Sequence, residues 1–349
     1  MERFIPKNHR ARRGKGVKMI ILGIETSCDE TAVSVCMNGK ILSNIVGSQL
    51  IHSHFGGVVP EVASREHERL LYDLTTKAIE SAEIRINAID GIAVTNGPGL
   101  AGALLTGVSF AKGLAIGLEV GIVSINHLEA HIIANLLDRD DIKYPFICLL
   151  VSGGHTQLWL IKEMNDYTLL GETRDDAAGE AFDKGARILG LGYPGGPEIE
   201  KCAQKGDSNL VKFPRAFINS RTIEFSFSGL KTSLLYYMDS FQETNKCTLN
   251  DVAASYQSAI IDCLVAKIKL ASKLTGVNTI SIAGGVAKNK FLRQSIDKNL
   301  SNKNIIFPDL KYCTDNAAMI SYLGEKKFQM GKQTNYDFSV NPNFKNNLD

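Results

Sequence analysis

The chain has 349 residues, 44% of them hydrophobic and 22% charged, a balance that supports two ordinary globular cores. No apolar run reaches the roughly 18 residues of a membrane span, and no apolar segment follows the basic start as a secretory leader requires. The net charge of +2 hides an asymmetry: residues 1–18 carry +6, so the remainder carries −4, which argues against a broad nucleic-acid-binding face.

The first 18 residues, with Arg10, Arg12, Arg13, Lys15 and Lys18, stand apart from the acidic body. They read as a disordered tail preceding a start at Met19, as an RNA-binding arm, or as a transit peptide that lacks serine. Seven cysteines are scattered without a C-x-x-C pair, which fits a reduced cytosolic compartment with most of them as small core residues. An organellar location follows only if the arm is a transit peptide.

Residues 19–24 form an apolar run that reads as a buried strand, 25–30 a polar turn, 32–35 a second strand, and Asn38-Gly39 a hairpin turn into a third strand at 41–46. Residues 61–83 carry apolar side chains at helical spacing, 92–94 reads as a strand, 101–117 as an apolar helix, and 121–125 as a strand running into a helix at His127. After a charged stretch at 138–144 the opening plan returns: strand at 146–151, turn at 152–155, strand at 157–161, turn, strand at 167–170. Helices at 178–191 and 252–274, a strand at 279–283 and helices at 288–300 and 316–330 complete the pattern. The repeat predicts a duplicated α/β architecture. Its lobes are expected at 19–138, with 316–349 returning to the first, and at 139–315, with a ligand in a central cleft where the polar turns meet.

Six stretches carry chemistry. In Asn126-His127-Leu128-Glu129-Ala130-His131, two histidines four apart share a helical face and suit one metal, with an apolar stripe (Leu128, Ile132, Leu136) on the core side. Glu129 lies about 200° round the helix from His127, too far to serve as the base of a zinc protease. It suits the N3 position of a capping box begun by Asn126. Asp315, just before a helix, is a candidate third ligand or an N-cap. The polar turns at 25–31 and 152–156 can close backbone N–H groups on phosphate, although Asp29 and Glu30 would repel one.

The other stretches are less decided. In the acidic run 175–184, Asp183 sits deep enough to accept hydrogen bonds from a ligand, and Gly192-Tyr193-Pro194-Gly195-Gly196 after it is a ligand-facing turn or a plain loop. Ala283-Gly284-Gly285 follows a strand and opens a helix, as a nucleotide-contacting turn does, and Asn289 either bonds a ligand or caps. Asn96-Gly97-Pro98-Gly99 reads as structural. Residues 225–232 are a substrate-facing loop or a satellite core.

Together these stretches resemble the TsaD (formerly Gcp) family. The resemblance is carried by G-I-E-T-S-C-D-E-T at 23–31, N-H-L-E-A-H at 126–131, V-S-G-G-H-T-Q-L at 151–158, D-D-A-A-G-E-A-F-D-K at 175–184, F-S-F-S-G-L-K-T at 225–232 and A-G-G-V-A-K-N at 283–289. It covers 19 to about 330, and the long acidic block is of the bacterial or organellar type. It implies an actin-like ATPase (ASKHA) fold and one divalent metal, usually iron(II), with zinc the other choice, on His127, His131 and Asp315. It implies transfer of threonylcarbamoyl from its adenylate to N6 of the adenosine 3′ of the anticodon, in tRNAs reading codons that begin with A. Substrate contacts carry over to Leu150, Val151, Ser152, Gly153, Gly154, Asp183, Gly196 and Asn289. Implied partners are tRNA, threonylcarbamoyl-AMP, a non-catalytic paralogue that forms a heterodimer, and a small P-loop ATPase, with no membrane. Asn341 stands where arginine is expected. Metalloprotease, sugar kinase and non-catalytic scaffold are the competing readings.

Overall fold

A computed structural model describes residues 19–137, 139, 141–244 and 246–344, with Ser53 and His54 described by backbone alone. The expectations for the basic arm fall outside the described residues. The chain divides into two compact units: one comprises the chain up to Asp140 and from Asp315 onward, the other Asp141–Thr314.

The first unit contains β1 (Ile20–Glu25), β2 (Glu30–Met37), β3 (Lys40–Ser48), α1 (Pro60–Ser81), β4 (Gly91–Gly97), α2 (Ala101–Gly117), β5 (Gly121–Asn126), α3 (His127–Ile133) and, from the end of the chain, α9 (Ala318–Gln329). Its sheet runs β3-β2-β1-β4-β5, with β1 to β3 antiparallel and β4 and β5 parallel to β1. The β2–β3 hairpin forms because Asn38 and Gly39 both accept positive φ, 53° and 76°, the twist that two-residue hairpins need. Every residue of β4 is buried, as expected of a parallel strand covered on both faces.

Alternation along the strands sorts the two covers. Leu22, Ile24, Val33 and Val35 pack with Leu71, Leu74 and Val108 of α1 and α2. Ser34 instead points to α9, where its Oγ lies 2.9 Å from Ser321 Oγ. Beyond α9 the chain lays Thr334 along the edge of β5 (Thr334 N–H to Ile122 O, 2.9 Å) and brings Asn341 N–H to Asn96 O at 2.7 Å. That contact is made by backbone, so the asparagine at 341 keeps it.

The second unit contains β6 (Phe146–Val151), β7 (Thr156–Glu163), β8 (Asp166–Glu172), α4 (Ala178–Ile188), α5 (Gly195–Ala203), α6 (Ser228–Asp239), α7 (Leu249–Thr275), β9 (Thr279–Ala283), α8 (Lys290–Asn299) and β10 (Asn304–Ile306). Read from β8, its sheet runs β8-β7-β6-β9-β10, with β6 to β8 antiparallel and β9 and β10 parallel to β6. Strand for strand this repeats the first sheet, so the duplication expected from the sequence is present. Thr248 and Asp251 start α7 with a capping box, and Gly276 ends it at φ 74°.

The sequence reading missed two helices. Residues 195–203 form α5, because the proline of Gly-Gly-Pro falls in a first turn where a missing N–H costs nothing. Residues 228–239 form α6, whose N-cap residue, Phe227, offers no side-chain acceptor. Asp175 caps it from 53 positions away, accepting from Phe227 N at 2.8 Å and Ser228 Oγ at 2.7 Å. Phe225 and Phe227 belong to the main core of this unit, so 225–232 is neither a substrate loop nor a satellite core at those positions.

Candidate metal centre

Strand β5 delivers Asn126 to the start of α3, where its Oδ1 accepts Leu128 N–H (2.8 Å) and Glu129 N–H (3.2 Å). The cap fixes His127 as the first helical residue and puts His131 one turn on. Their rings meet edge to face with centroids 4.6 Å apart. Asp315 completes the group: its Oδ1 lies 3.0 Å from His131 Nε2 and 3.5 Å from His127 Nε2. One ligand atom from each residue lies within 4.8 Å of the others. Donors held about 2.1 Å from a common ion stand roughly 3.0–3.5 Å from one another, so the two measured separations fit a divalent ion. His131 Nδ1 is buried and finds no hydrogen-bond partner among the described residues. All three candidates belong to the first unit.

The surroundings differ from expectation in two ways. The sequence turned the histidines away from the core, but every residue of α3 is buried. It also gave Glu129 a capping role; the structure gives it an ion pair with Lys327 of α9, at 2.6 Å and with no exposure at the carboxylate.

Glu25, read as part of a polar turn, is a neighbour of His127 that the sequence concealed. It ends β1, fully buried, with Oε2 3.1 Å from His127 Nδ1. Ser27 N–H donates to its Oε1 and Thr95 Oγ–H to its Oε2, both at 2.6 Å. Burial opposes the charge on both partners, yet each supports the other. The His127 charge and hydrogen bond hold the Glu25 carboxyl below its ordinary value, and the Glu25 and Asp315 carboxylates raise His127 to about 9. Glu30 goes the other way: burial, then the charges of Asp315 and Asp29, push it up to about 9. A shift in that direction weakens the phosphate repulsion expected of it.

In the second unit Leu150 and Val151 end β6 and Ser152 to Gly154 form the turn after it, whereas Asp183 and Gly196 lie in α4 and α5. Ser152 N–H bonds His155 O (2.8 Å) and closes the turn after β6, and the start of α4 docks on it through Gly179 N–H to Ser152 O (3.1 Å). Gly284, at φ 89°, is forced: a Cβ there would lie 2.4 Å from Val151 O. Gly153, Gly154 and Gly196 are different. A Cβ on any of them meets nothing within 4 Å, and none has a left-handed φ. The fold does not require glycine at these three positions.

Leu150 and Val151 are fully buried at the end of β6, where Leu150 is paired with β7 on one side and β9 on the other. Asp183 accepts Gly195 N–H at 2.7 Å and so ties the start of α5, beside Gly196, to the middle of α4. Asn289 caps α8 through Leu292 N–H and donates to Gln257 Oε1, both at 2.8 Å. Of its two sequence readings, the capping one describes these bonds.

A sequence profile described as tRNA N6-adenosine threonylcarbamoyltransferase (TsaD) matches residues 40–322, a span that holds both histidines and Asp315. The chain belongs to the TsaD family. The tRNA N6-adenosine threonylcarbamoyltransferase of Thermosipho africanus is 50% identical over 330 residues, 94% of this chain and 100% of that protein. That of Syntrophomonas wolfei is 53% identical over 307 residues, 86% of this chain and 90% of that protein. HypF of T. kodakarensis, 15% identical, superposes with a TM-score of 0.62 over 90% of this chain and 48% of its own. That likeness concerns fold alone, the actin-like ATPase fold expected from the TsaD resemblance. As a TsaD protein the chain is a transferase of tRNA modification. Among the described residues no helix is long and apolar enough to cross a membrane.

Proposed function

We propose that this chain transfers threonylcarbamoyl from threonylcarbamoyl-AMP to N6 of the adenosine 3′ of the anticodon, in tRNAs reading codons that begin with A. The observation that carries the reading is the His127–His131–Asp315 group, at ligand spacing in a chain of this family. Two imidazoles and one carboxylate leave coordination positions open, which favours iron(II), with zinc the alternative. Such an ion, when bound, supplies a Lewis acid for a phosphate or carbonyl oxygen of the acyl-adenylate.

The remaining work falls to the chain. His127, His131 and Asp315 fix the ion's place. The main chain of Leu150 to Gly154 and the backbone at Gly196 hold the acyl-adenylate. Support comes from the three glycines that have no neighbour of their own, since space kept free of side chains lets a ligand approach the N–H groups. Asp183 is assigned to the ligand's hydroxyl or amino groups and Asn289 to its nucleotide. The adenosine N6 attacks the carbamoyl carbon, the bond from that carbon to the phosphate oxygen breaks, AMP departs, and N6 releases a proton. No side chain need form a covalent intermediate.

The proposal includes a non-catalytic paralogue as heterodimer partner, a small P-loop ATPase, and a cytoplasmic location. A protease reading is disfavoured, because Glu129 is committed to Lys327. The test is transfer to tRNA with purified partners, read by nucleoside mass spectrometry. His127→Ala is expected to abolish threonylcarbamoyladenosine; undiminished product would remove the metal from the mechanism.

A further inference from the structure

The His127 imidazole has two nitrogens, and only one faces Asp315. Nε2 lies 3.5 Å from Asp315 Oδ1, whereas Nδ1 lies 3.1 Å from Glu25 Oε2 and 3.1 Å from Ser27 Oγ. Glu25 is held in place because both of its oxygens accept from donors, Oε1 from Ser27 N–H two residues on and Oε2 from Thr95 Oγ–H of β4. A carboxylate only accepts. The hydrogen between Nδ1 and Oε2 therefore belongs to the imidazole, and Nε2 is the nitrogen left to ligate. Nothing on α3 sets this choice, since Asn126 caps the backbone and does not hold the ring.

We propose that Glu25 is a positioning residue for the metal: it orients the His127 ring from behind and fixes the tautomer that offers Nε2. A carboxylate behind a ligating histidine orients the ring and raises its basicity, and losing one typically weakens metal binding 10–100-fold. The inference rests on the metal reading proposed above. Ser27 and Thr95 serve it indirectly, by holding the carboxylate.

Glu25→Gln separates positioning from packing, because it keeps the shape and inverts the hydrogen bonding. If the amide oxygen stays on Ser27 N–H, the amide NH2 faces Nδ1, which must then accept, and the ring proton moves to Nε2, where it blocks ligation. If the amide turns over, the NH2 meets Ser27 N–H, donor against donor.

The experiment uses the full chain and zinc(II) as probe. The zinc Kd is measured by chelator competition for wild type, Glu25→Gln, Glu25→Ala and His127→Ala, with melting temperature alongside. Nitrogen-15 spectra of labelled histidine report the tautomer. Glu25→Gln is expected to weaken zinc binding by roughly 10- to 100-fold, to move His127 to the Nε2–H tautomer, and to melt near wild type. A lower melting temperature with unchanged zinc Kd and tautomer would reduce Glu25 to a structural residue and overturn the proposal. Should Glu25→Gln fail to fold, the same readings are taken on Glu25→Ala. If wild type binds zinc no better than His127→Ala, the metal reading itself fails. If those two differ and Glu25→Gln matches wild type, only this inference fails.

Discussion

Gly284 and Gly154 follow adjacent parallel strands of one sheet, β9 and β6, and are glycines for different reasons. Gly284 combines φ 89° with a carbonyl where its Cβ would go. Gly284→Ala is therefore expected to cost about 2 kcal/mol or more in urea unfolding. Gly154→Ala meets no protein atom and is expected to leave stability unchanged or raise it by up to about 1 kcal/mol, while transfer to tRNA falls at least tenfold. Full transfer by Gly154→Ala would take the acyl-adenylate away from this turn. His67 supplies a second residue-scale prediction. Its Nε2–H donates to Cys28 O (2.9 Å) and its Nδ1 accepts from Thr31 Oγ (2.8 Å), and burial lowers its pKa. The folded chain resists the proton that the unfolded chain takes near 6.5, so this contribution is complete above that pH and is lost as the pH falls below it. Compared with His67→Gln, wild type is expected to lose up to about 1.4 kcal/mol more per pH unit between 6.5 and 5.5. Parallel stability profiles would contradict it. The histidine pair was legible as a candidate because two histidines four apart share a helical face; Asp315, 184 positions from His131, read from position alone as ligand or N-cap and joined the pair through the TsaD resemblance. Glu25 was not, because the 102 positions between it and His127 are closed only by the pairing of β1 with β4 and of β4 with β5.

Helix α3 is seven residues long and wholly buried, too short to hold two ligands steady on its own propensity. Two devices hold it: the Asn126 cap at its start and the Glu129–Lys327 pair that ties it to α9. Removing the ammonium leaves a carboxylate in a buried site, so Lys327→Met is expected to cost about 3–5 kcal/mol, with weaker metal retention in the protein that still folds. A loss below 1 kcal/mol in denaturant unfolding would mean that the pair behaves as a surface pair and that α3 is held by packing alone. The cap was legible in the sequence, since Asn before a helical stripe is a local signal. The ion pair was not, because its partner lies 198 positions on. Helix α6 shows the same limit. Its cap comes from Asp175, so the local sequence Ser226-Phe227-Ser228 gave no start signal strong enough to outweigh the reading as a loop.

The duplicated sheets were readable because each starts with the same strand–turn–strand–turn–strand run, about 125 residues apart, and period-2 patterning survives in single sequences. What the sequence could not supply at this scale was the use of each polar turn. In the first unit Glu25, at the end of β1, and Ser27, in the turn after it, contact the His127 ring; in the second the turn after β6 keeps two glycines open. The most direct measurement of a metal on His127, His131 and Asp315 is anomalous diffraction from crystals of the iron- or zinc-loaded protein. A single peak within about 2.3 Å of His127 Nε2, His131 Nε2 and an Asp315 carboxylate oxygen is the predicted result. Loaded crystals with no peak there, or with the ion on other residues, would contradict it.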